Sequence, residues 1–353
     1  MNSKEITKNF GGLWRNPELK DYFFLVNPYF PEKNIIKELK SNLKNLVTQY
    51  PSNLKKQNIL ASKFLKVNHK KLIVCNGVSE IIKILPKVFE GKFGILTPTF
   101  NEYLDAIGKD KIHLSEVKNQ NFSYSLDELY ELANYCKNII LINPDNPSGN
   151  LILKRDLFVF LDYLKKNKKN LIIDESFIDF SNKDGANKML TERIISKYKN
   201  LLIIKSIGKS YGVPGIRLGV VSSCNTEVLS KITKNLCIWN INSLAETFLE
   251  LMPKYINLFE KSCKKLIKER EIFYKELTKI NFLTPYPSFS NYILCKISKK
   301  FSSNFITEKL FKEGYIIKNL SKKIDINKGE FIRLSIRNRA DNIGLINVLR
   351  KLC

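Results

Sequence analysis

The sequence predicts an α/β protein with a mostly parallel central sheet flanked by helices, followed by a smaller α+β domain. Short apolar runs alternate with longer amphipathic segments through the middle of the chain, a pattern typical of parallel strands that are buried on both faces. The chain has 353 residues, of which 44% are hydrophobic. It is therefore long enough to bury one large core and a smaller one.

The strands of the large part are expected at the apolar runs, which span 71–76, 92–98, 138–144, 170–176, 200–206 and 216–223. Amphipathic segments between these runs predict helices, of which the clearest span 79–90, 125–137 and 154–168. Further along, the segment from Glu246 to about Lys279 predicts long helices that are broken near Pro253, because proline lacks the N–H of a helical hydrogen bond.

The C-terminal part has a different pattern. Predicted strands at 291–297, 314–319 and 331–336 are interspersed with a helix near 306–313 and a final helix, as in an α+β unit. The N-terminal residues predict an extended arm. We therefore expect an arm over 1–32 that packs against the small domain or a dimer partner, a large domain over 33–255 and a small domain over 256–353.

The charge of the chain is strongly positive, +25 from 59 Lys and Arg against 34 Asp and Glu. The basic residues are mostly lysines spread along the whole length without a clustered arm, so the charge does not predict a nucleic-acid interface. A positive field that attracts a small anionic substrate is the functional alternative that this composition supports.

Cysteine and histidine usage excludes several classes of site. The seven cysteines are widely spaced without a CxxC pair, and only two histidines are present. A disulfide framework, a metal centre and a histidine-based catalytic triad are therefore not expected, whereas a reducing cytoplasm is. No apolar run reaches the ~18 residues that cross a bilayer. Because the first twelve residues also lack an apolar leader core, we expect a soluble cytoplasmic protein without membrane contact.

Unusual polar residues follow several of the predicted strands, where ligands of an open parallel sheet bind. The turn at 143–149 holds two prolines and a glycine, and a rigid turn of this kind displays Asn146. The next strand ends at Asp174, and the strand after it leads into a loop with Ser206 and Lys209. Upstream, Gly77 precedes a predicted helix, whose free N–H groups favour an anion.

Two nucleotide-binding motifs are excluded, since Ile203 stands where a P-loop before Gly208 needs glycine, and no G-x-G-x-x-G occurs. The polar residues instead suit pyridoxal phosphate. An aspartate keeps the pyridine nitrogen protonated, and a lysine holds the aldehyde as a Schiff base. Ser206, the helix start and Arg217, eight residues beyond the lysine, would bind the phosphate.

With these residues in place, the sequence resembles the fold-type-I pyridoxal-phosphate enzymes, in the branch of histidinol-phosphate aminotransferase and threonine-phosphate decarboxylase. The resemblance runs from about Asn27 to the C-terminus in the family's motif order. It implies pyridoxal 5′-phosphate as cofactor, Lys209 as the Schiff-base lysine and Asp174 as the partner of the pyridine nitrogen. The other implied cofactor contacts are Ser206, Arg217, Gly77, Val78 and Ser79 at the phosphate, Asn146 at the 3′-oxygen, Phe100 stacked on the ring, and Phe177.

The resemblance also implies a homodimer with shared active sites, because Tyr50 resembles the tyrosine that reaches the cofactor phosphate of the neighbouring subunit. On the substrate side it implies that Arg333 binds the substrate carboxylate. Arg337 and Asn27 are further expected substrate contacts.

The cofactor leaves the reaction open, because the substrate bond held perpendicular to its ring is the bond that breaks. Three features favour decarboxylation. Phe177 stands where aminotransferases of this branch usually have tyrosine, and Arg337 follows Arg333 by four residues, as in the decarboxylase. The segment at 10–17 is similar to the start of the decarboxylase, with Phe10 in place of its histidine. A plain aromatic replacement and a surface arginine are the alternative interpretations of the first two.

We therefore predict a decarboxylase that converts O-phospho-L-serine or O-phospho-L-threonine to ethanolamine phosphate or aminopropanol phosphate plus CO2. One methyl group is worth ~1–3 kcal/mol in a pocket, so the sequence does not separate the two substrates. The main alternative is an aminotransferase of the histidinol-phosphate type that acts on a small phosphorylated amine or ketone. A regulator built on this fold would need a separate DNA-binding module, for which the family match leaves no room near the N-terminus.

Overall fold

The computed structural model describes residues 11–181, 186–323, 326 and 329–352. Phe10, which replaces the histidine of the decarboxylase motif, lies outside the described residues. Two sheets organise the described chain, one of seven strands and one of five. The site-bearing residues lie mainly on the larger sheet and its connecting loops.

The larger sheet has the strand order β2–β8–β7–β6–β5–β3–β4. Its strands are β2 (Leu72–Cys75), β3 (Phe93–Thr97), β4 (Ile112–Glu116), β5 (Asn138–Ile142), β6 (Asn170–Asp174), β7 (Leu201–Ser206) and β8 (Gly219–Ser222). Strands β4, β3, β5, β6 and β7 are parallel to their neighbours in this set, and only β8 runs antiparallel, to both β7 and β2. The prediction of a mostly parallel central sheet is confirmed.

Helices cover both faces of this sheet. They are α1 (Lys33–Ser41), α2 (Leu43–Thr48), α3 (Leu54–Leu65), α4 (Val78–Val88), α5 (Asn101–Ile107), α6 (Leu126–Tyr135), α7 (Lys154–Lys166), α8 (Glu192–Lys197), α9 (Ile207–Ser210) and α10 (Thr226–Asn235). Strand β5 shows why the strands are continuous apolar runs in the sequence. Ile139 and Leu141 face the core under α6 and α7, whereas Ile140 and Ile142 face the core under α4 and α5.

The long helix α11 (Ser243–Leu277) corrects the expected break near Pro253, because it runs through that proline for 35 residues. A proline inside a helix costs about 3 kcal/mol or more. Leu249, Met252 and Phe259 lie around the proline and are each 1% exposed or less. Their burial, at ~1.5–3 kcal/mol each, offsets that cost. The boundary predicted at 255 therefore falls inside one continuous helix.

The smaller sheet contains β9 (Leu283–Pro285), β10 (Tyr292–Ile297), β11 (Tyr315–Asn319) and β12 (Glu330–Ser335), with α12 (Ser303–Lys312) and α13 (Arg339–Arg350) beside it. Its fifth strand comes from the N-terminal arm, since β1 (Lys20–Tyr22) pairs in parallel with β11. The order is β1–β11–β12–β10–β9, and the pairs other than β1–β11 are antiparallel. The arm thus packs against the small domain.

Within the described ranges, no helix is both long enough and apolar enough to span a membrane.

Candidate active site

The parallel strands β5, β6 and β7 bring polar side chains to one edge of the large sheet, beside the small-domain strand β12. Asp174 ends β6, Ser206 ends β7, and Lys209 follows in the short helix α9. Asn146 comes from the turn after β5, and its Oδ1 accepts a hydrogen bond of 2.6 Å from Nη1 of Arg333 on β12. The predicted residues from both domains therefore meet in one cleft.

Lys209 is held with its amine between two aromatic rings. Its Nζ lies 5.2 Å from the ring centre of Phe100 and 4.7 Å from that of Phe177. Burial lowers the pKa of the Lys209 amine below its ordinary value, the Asp174 carboxylate opposes this, and Arg333 and Arg217 lower it further. A lysine of this kind carries a neutral, nucleophilic amine at lower pH than a surface lysine does.

The Asp174 carboxylate is fixed by hydrogen bonds to both oxygens. Tyr103 donates its hydroxyl to Oδ2 at 2.9 Å, and Ser176 donates its amide (2.9 Å) and hydroxyl (2.5 Å) to Oδ1. Burial, and then the adjacent carboxylate, raise the pKa of Tyr103 well above its ordinary value, so it remains a donor. Sequence reasoning missed Tyr103 and Ser176. Their signal was position, three residues after Phe100 and two after Asp174.

A second group of residues forms a cradle for an anion. The amides of Val78 and Ser79, at the start of α4, donate no backbone hydrogen bond within the described chain. Arg217 donates from Nη2 to Ser79 Oγ at 3.2 Å. Gly77 has φ 74°, and a Cβ placed there would lie 2.7 Å from Nη2 of Arg217. A side chain here would displace the tip of Arg217, and its backbone would be strained at this positive φ.

Aromatic side chains line the cleft around Lys209. Phe100 immediately precedes α5 and is partly exposed. Phe177 is 1% exposed and packs edge-on against Tyr292, with ring centres 5.2 Å apart and an angle of 87°. The Tyr292 hydroxyl donates to the backbone oxygen of Asp145. Phe177 is therefore fixed in place and brings no hydroxyl to the site.

Arg333 is buried at 7% exposure, with two of its three nitrogens engaged. Nη1 binds Asn146, Nη2 donates to the Phe23 backbone oxygen at 2.8 Å, and Nε has no partner within the described chain. Burial lowers the pKa of Arg333 to about 10, so the group stays charged at neutral pH. A buried cation with an unpaired donor favours an anionic ligand.

The expected substrate contact of Arg337 has competing partners in this structure. Its Nε donates to Asp341 Oδ2 at 2.9 Å, and its Nη1 donates to the backbone oxygen of Asp21 at 2.9 Å. The guanidinium therefore ties the N-terminal arm to α13. This geometry agrees better with Arg337 as a surface arginine than with Arg337 as a second arginine that binds the substrate.

The side chain of Asn27 is likewise occupied. Its Nδ2 donates to the Ser210 backbone oxygen and to Ser262 Oγ, both at 3.0 Å, and its Oδ1 accepts from the Tyr29 amide at 3.0 Å. The Asn27 amide also donates to the backbone oxygen of Lys209 at 3.0 Å. These bonds leave Asn27 as an anchor of the Lys209 loop rather than a free substrate contact.

Tyr50 lies on the surface at 78% exposure, and its ring stacks on Trp239 at 4.3 Å. Val47, close to Tyr50 in sequence, and Ile238, next to Trp239, are further exposed apolar side chains, at 70% and 78% exposure. The structure does not bring Tyr50 into its own subunit's cleft with Lys209. Its predicted contact with a neighbouring subunit's cofactor stays a prediction.

The residues of the cleft fit pyridoxal phosphate on three observations. Gly77 leaves the space that the Arg217 cradle needs, Lys209 supplies a buried amine, and Asp174 is a fixed carboxylate nearby. Within the described ranges, no group of three or more His, Cys, Asp or Glu side chains could hold a metal ion.

Comparisons with known proteins agree with this site. A model of the family described as aminotransferase class I and II matches residues 27–346. An L-serine phosphate decarboxylase of Campylobacter jejuni is 32% identical over 364 residues, covering 96% of this chain and 89% of the relative. Two longer curated relatives, at 27% and 28% identity, are spanned over only 55% and 52% of their length. The chain thus spans about half of those two proteins.

Solved structures share the whole fold. Histidinol-phosphate aminotransferase from Clostridium acetobutylicum superposes with a TM-score of 0.86 at 28% identity, covering 95% of this chain and 99% of that chain. A decarboxylase from Sulfurospirillum multivorans superposes with a TM-score of 0.84 at 26% identity, covering 96% and 90%. The structural neighbours therefore include both of the reaction types that the sequence left open.

Proposed function

This chain belongs to the aminotransferase class I and II family, and we propose that within it the chain is a decarboxylase of a phosphorylated amino acid. Its cofactor is pyridoxal 5′-phosphate, which the residues of the cleft fit. The proposed substrates are O-phospho-L-serine and O-phospho-L-threonine, and the products are the corresponding phosphorylated amine and CO2. The relatives named L-serine phosphate decarboxylase support this choice.

The observation that carries the proposal is the state of Arg333. Its two terminal nitrogens are held by Asn146 and by the Phe23 backbone, which fixes the direction of the guanidinium. Its Nε is buried without a partner among the described residues, and its positive charge lowers the pKa of Lys209. A substrate carboxylate at this nitrogen would satisfy the buried donor close to the catalytic amine.

Bound pyridoxal phosphate supplies an electron sink for the electron pair released with CO2. Asp174 holds a proton at the pyridine nitrogen, and Tyr103 and Ser176 keep its carboxylate in one orientation. Lys209 would hold the cofactor through its Nζ, and the same amine is the group that would return a proton to Cα of the substrate. The low pKa of Lys209 suits it to both tasks.

Phe177 supports decarboxylation over transamination. Its ring lies 4.7 Å from Lys209 Nζ and brings no hydroxyl to that side of the cleft. A tyrosine there would add a polar group near the proton-carrying amine. The apolar ring instead leaves Lys209 and Arg333 as the polar groups that direct the substrate on this side.

The aminotransferase is the second candidate, favoured by the TM-score of 0.86 with histidinol-phosphate aminotransferase. The test is an NMR time course of the cofactor-loaded protein with O-phospho-L-serine or O-phospho-L-threonine, without a keto acid. Loss of the carboxylate with growth of the phosphorylated amine is expected. Unchanged spectra, together with amino transfer from a phosphorylated amine when a keto acid is added, would replace the decarboxylase by the aminotransferase.

The carboxylate site is tested by a matched pair of arginine variants. Arg333→Met should raise the KM for the amino acid by about 10- to 100-fold, the loss of one charge-assisted hydrogen-bonding partner. Arg337→Met is the control, because its guanidinium is occupied by Asp341 and Asp21, and its KM should stay within about threefold. Equal effects of the two substitutions would contradict the assignment of the carboxylate to Arg333.

We also propose that the protein is a homodimer with shared active sites. Tyr50, Trp239, Val47 and Ile238 are large apolar side chains that are 48–78% exposed. Burial of such side chains against a second copy is favourable at ~25 cal/mol per Å2. Light scattering on a size-exclusion column should give twice the chain mass, and Tyr50→Ala should weaken cofactor binding. A monomer with full cofactor affinity would contradict this. The cytoplasmic location stays a prediction.

A further inference from the structure

Three cationic side chains lie near one another on and just after the strands β11 and β12. Lys318 on β11 stands directly across from Arg333 on β12 in the antiparallel ladder. Like charges at such cross-strand positions destabilise a sheet, since the side chains share one face. The third is Lys323, four residues after β11. The positive charges of Arg333 and Lys318 lower the pKa of its ammonium group. Sequence reasoning did not single out either lysine.

Three carboxylates act on this cluster, those of Asp145, Asp21 and Asp105. Asp145 accepts hydrogen bonds from Thr99 Oγ1 at 3.2 Å and from Ser148 Oγ at 2.7 Å. Asp21 accepts from the amides of Phe23 and Phe24, both at 2.9 Å. None of these three carboxylates forms a direct ion pair with Lys318, Lys323 or Arg333 within the described chain. The three cations therefore lack a direct carboxylate partner among the described residues.

Lys323 spans the two domains at the mouth of the cleft. Its Nζ donates to Asn101 Oδ1 at 2.5 Å, and Asn101 directly follows Phe100. Burial lowers the pKa of Lys323 to about 7, Asp145 opposes this, and Arg333 and Lys318 lower it further. Burial likewise lowers the pKa of Lys318 to about 8, with Arg333 adding to it. Ammonium groups held this way are stabilised when an anion joins them.

We propose that Lys323 binds the phosphate group of the substrate, with Lys318 adding charge to the same site. Within the part of the chain that the structure describes, Arg333 has one nitrogen without a partner. The substrate carboxylate would take it, so the second anionic group needs another cation. Lys323 lies against Asn101, the neighbour of Phe100, and this amide oxygen is its single side-chain acceptor within the described chain. This inference rests on the proposed function, because it assigns the phosphate of that same substrate.

The site is distinct from the cradle at Gly77. That cradle is built from the start of α4 and Arg217 in the large domain, whereas Lys318 and Lys323 belong to the small domain. Two separate anion sites, one on each domain, agree with a cofactor phosphate and a substrate phosphate that are bound at the same time. The inference thus predicts that substitutions at Lys323 leave cofactor affinity unchanged.

The experiment measures the Kd of the cofactor-loaded protein for O-phosphoethanolamine and for ethanolamine by calorimetry. These probes differ in the phosphate alone, and neither can be decarboxylated. Lys323→Met should weaken O-phosphoethanolamine binding by about 10- to 100-fold, as for one lost charge-assisted hydrogen bond, and leave ethanolamine unchanged. Lys323→Arg should restore most of the affinity. Lys322→Met is the control, because Lys322 is the exposed neighbour, and both Kd values should match the wild type.

Each other outcome has a defined meaning. Equal weakening of both probes in Lys323→Met would overturn the inference, since a merely structural link to Asn101 predicts that result. A wild-type protein that binds the two probes equally well would overturn it as well. A wild type that prefers O-phosphoethanolamine but releases no CO2 from O-phospho-L-serine or O-phospho-L-threonine would refute the proposed decarboxylase and leave the phosphate site standing.

Discussion

Replacing Gly77 by alanine tests the cofactor cradle at its tightest point. The alanine Cβ would lie 2.7 Å from Nη2 and 3.2 Å from Cζ of Arg217. Ordinary contact begins near 3.4 Å, so the guanidinium must retreat by about 0.7 Å, enough to misplace its hydrogen bonds. The residue also has φ 74° and ψ 161°, a region that only glycine adopts readily and that costs an alanine about 1–3 kcal/mol.

The two effects act on different quantities. The backbone strain lowers the free energy of unfolding, whereas the displaced arginine lowers cofactor affinity. Losing one charge-assisted hydrogen bond to the phosphate costs about 1.5–3 kcal/mol, which corresponds to a Kd for pyridoxal phosphate raised by about 10- to 100-fold. Titration of the apoprotein with the cofactor, followed by absorbance, measures this Kd. Urea unfolding of the apoprotein measures the strain.

Gly215→Ala is the matched control. Gly215 lies two residues before Arg217, and a Cβ there would meet no heavy atom within 4 Å. Its cofactor Kd should remain within about twofold of the wild type. A Gly77→Ala protein with the wild-type Kd would refute the cradle, and equal losses in the two variants would mean that the loop, not the Gly77–Arg217 contact, sets the affinity.

Three further predictions concern the same cleft and its support. Lys209→Ala should abolish turnover together with the visible absorbance of lysine-bound cofactor, and an active, yellow variant would contradict the assignment of Lys209. Phe177→Tyr should lower decarboxylation and raise amino transfer to a keto acid, because it adds a hydroxyl beside the Lys209 amine. The ratio of the two products is measured by NMR. An unchanged ratio would show that Phe177 is a plain aromatic replacement. Asp179→Asn should cost about 3–5 kcal/mol of unfolding free energy in urea, because it leaves the buried Lys205 ammonium, 2.5 Å from Asp179 Oδ2, unpaired. Lys205 and Lys188 hold the pKa of Asp179 below its ordinary value of 3.8 despite its burial. That stabilisation is therefore complete above the ordinary value and is lost as pH falls below it, so the variant and the wild type should converge in acid.

Much of the large domain was predictable because its signals are local. Each strand of a sheet covered on both faces is a short apolar run, and the six predicted runs correspond to β2, β3, β5, β6, β7 and β8. Helix α6 begins where Ser125 and Glu128 form a capping box, another local signal. The edge strand β4, which contains His113, does not stand out as an apolar run, because its residues are at most partly buried and polar residues interrupt it.

The candidate site likewise has one part that local sequence predicts and another part that tertiary packing decides. Lys209, Asp174, Ser206 and Arg217 follow strands at fixed spacings, so the sequence alone brings them to one edge of the sheet. Their hydrogen-bond partners come from further away. The Tyr103–Asp174 bond joins residues 71 positions apart. Tertiary packing decides such pairs, and no local pattern encodes them.

By itself, the sequence predicted the α/β fold and the cofactor, because strand ends and helix starts place side chains through local geometry. Only the tertiary structure decided that Arg333 keeps a nitrogen without a partner among the described residues, while Arg337 is bound to Asp341. It also decided that α11 continues through Pro253 and that Lys323 reaches the large domain. The physical reason is that burial and hydrogen bonding depend on which distant segments pack together. The residues next to an arginine, a lysine or a proline in the sequence do not specify those segments.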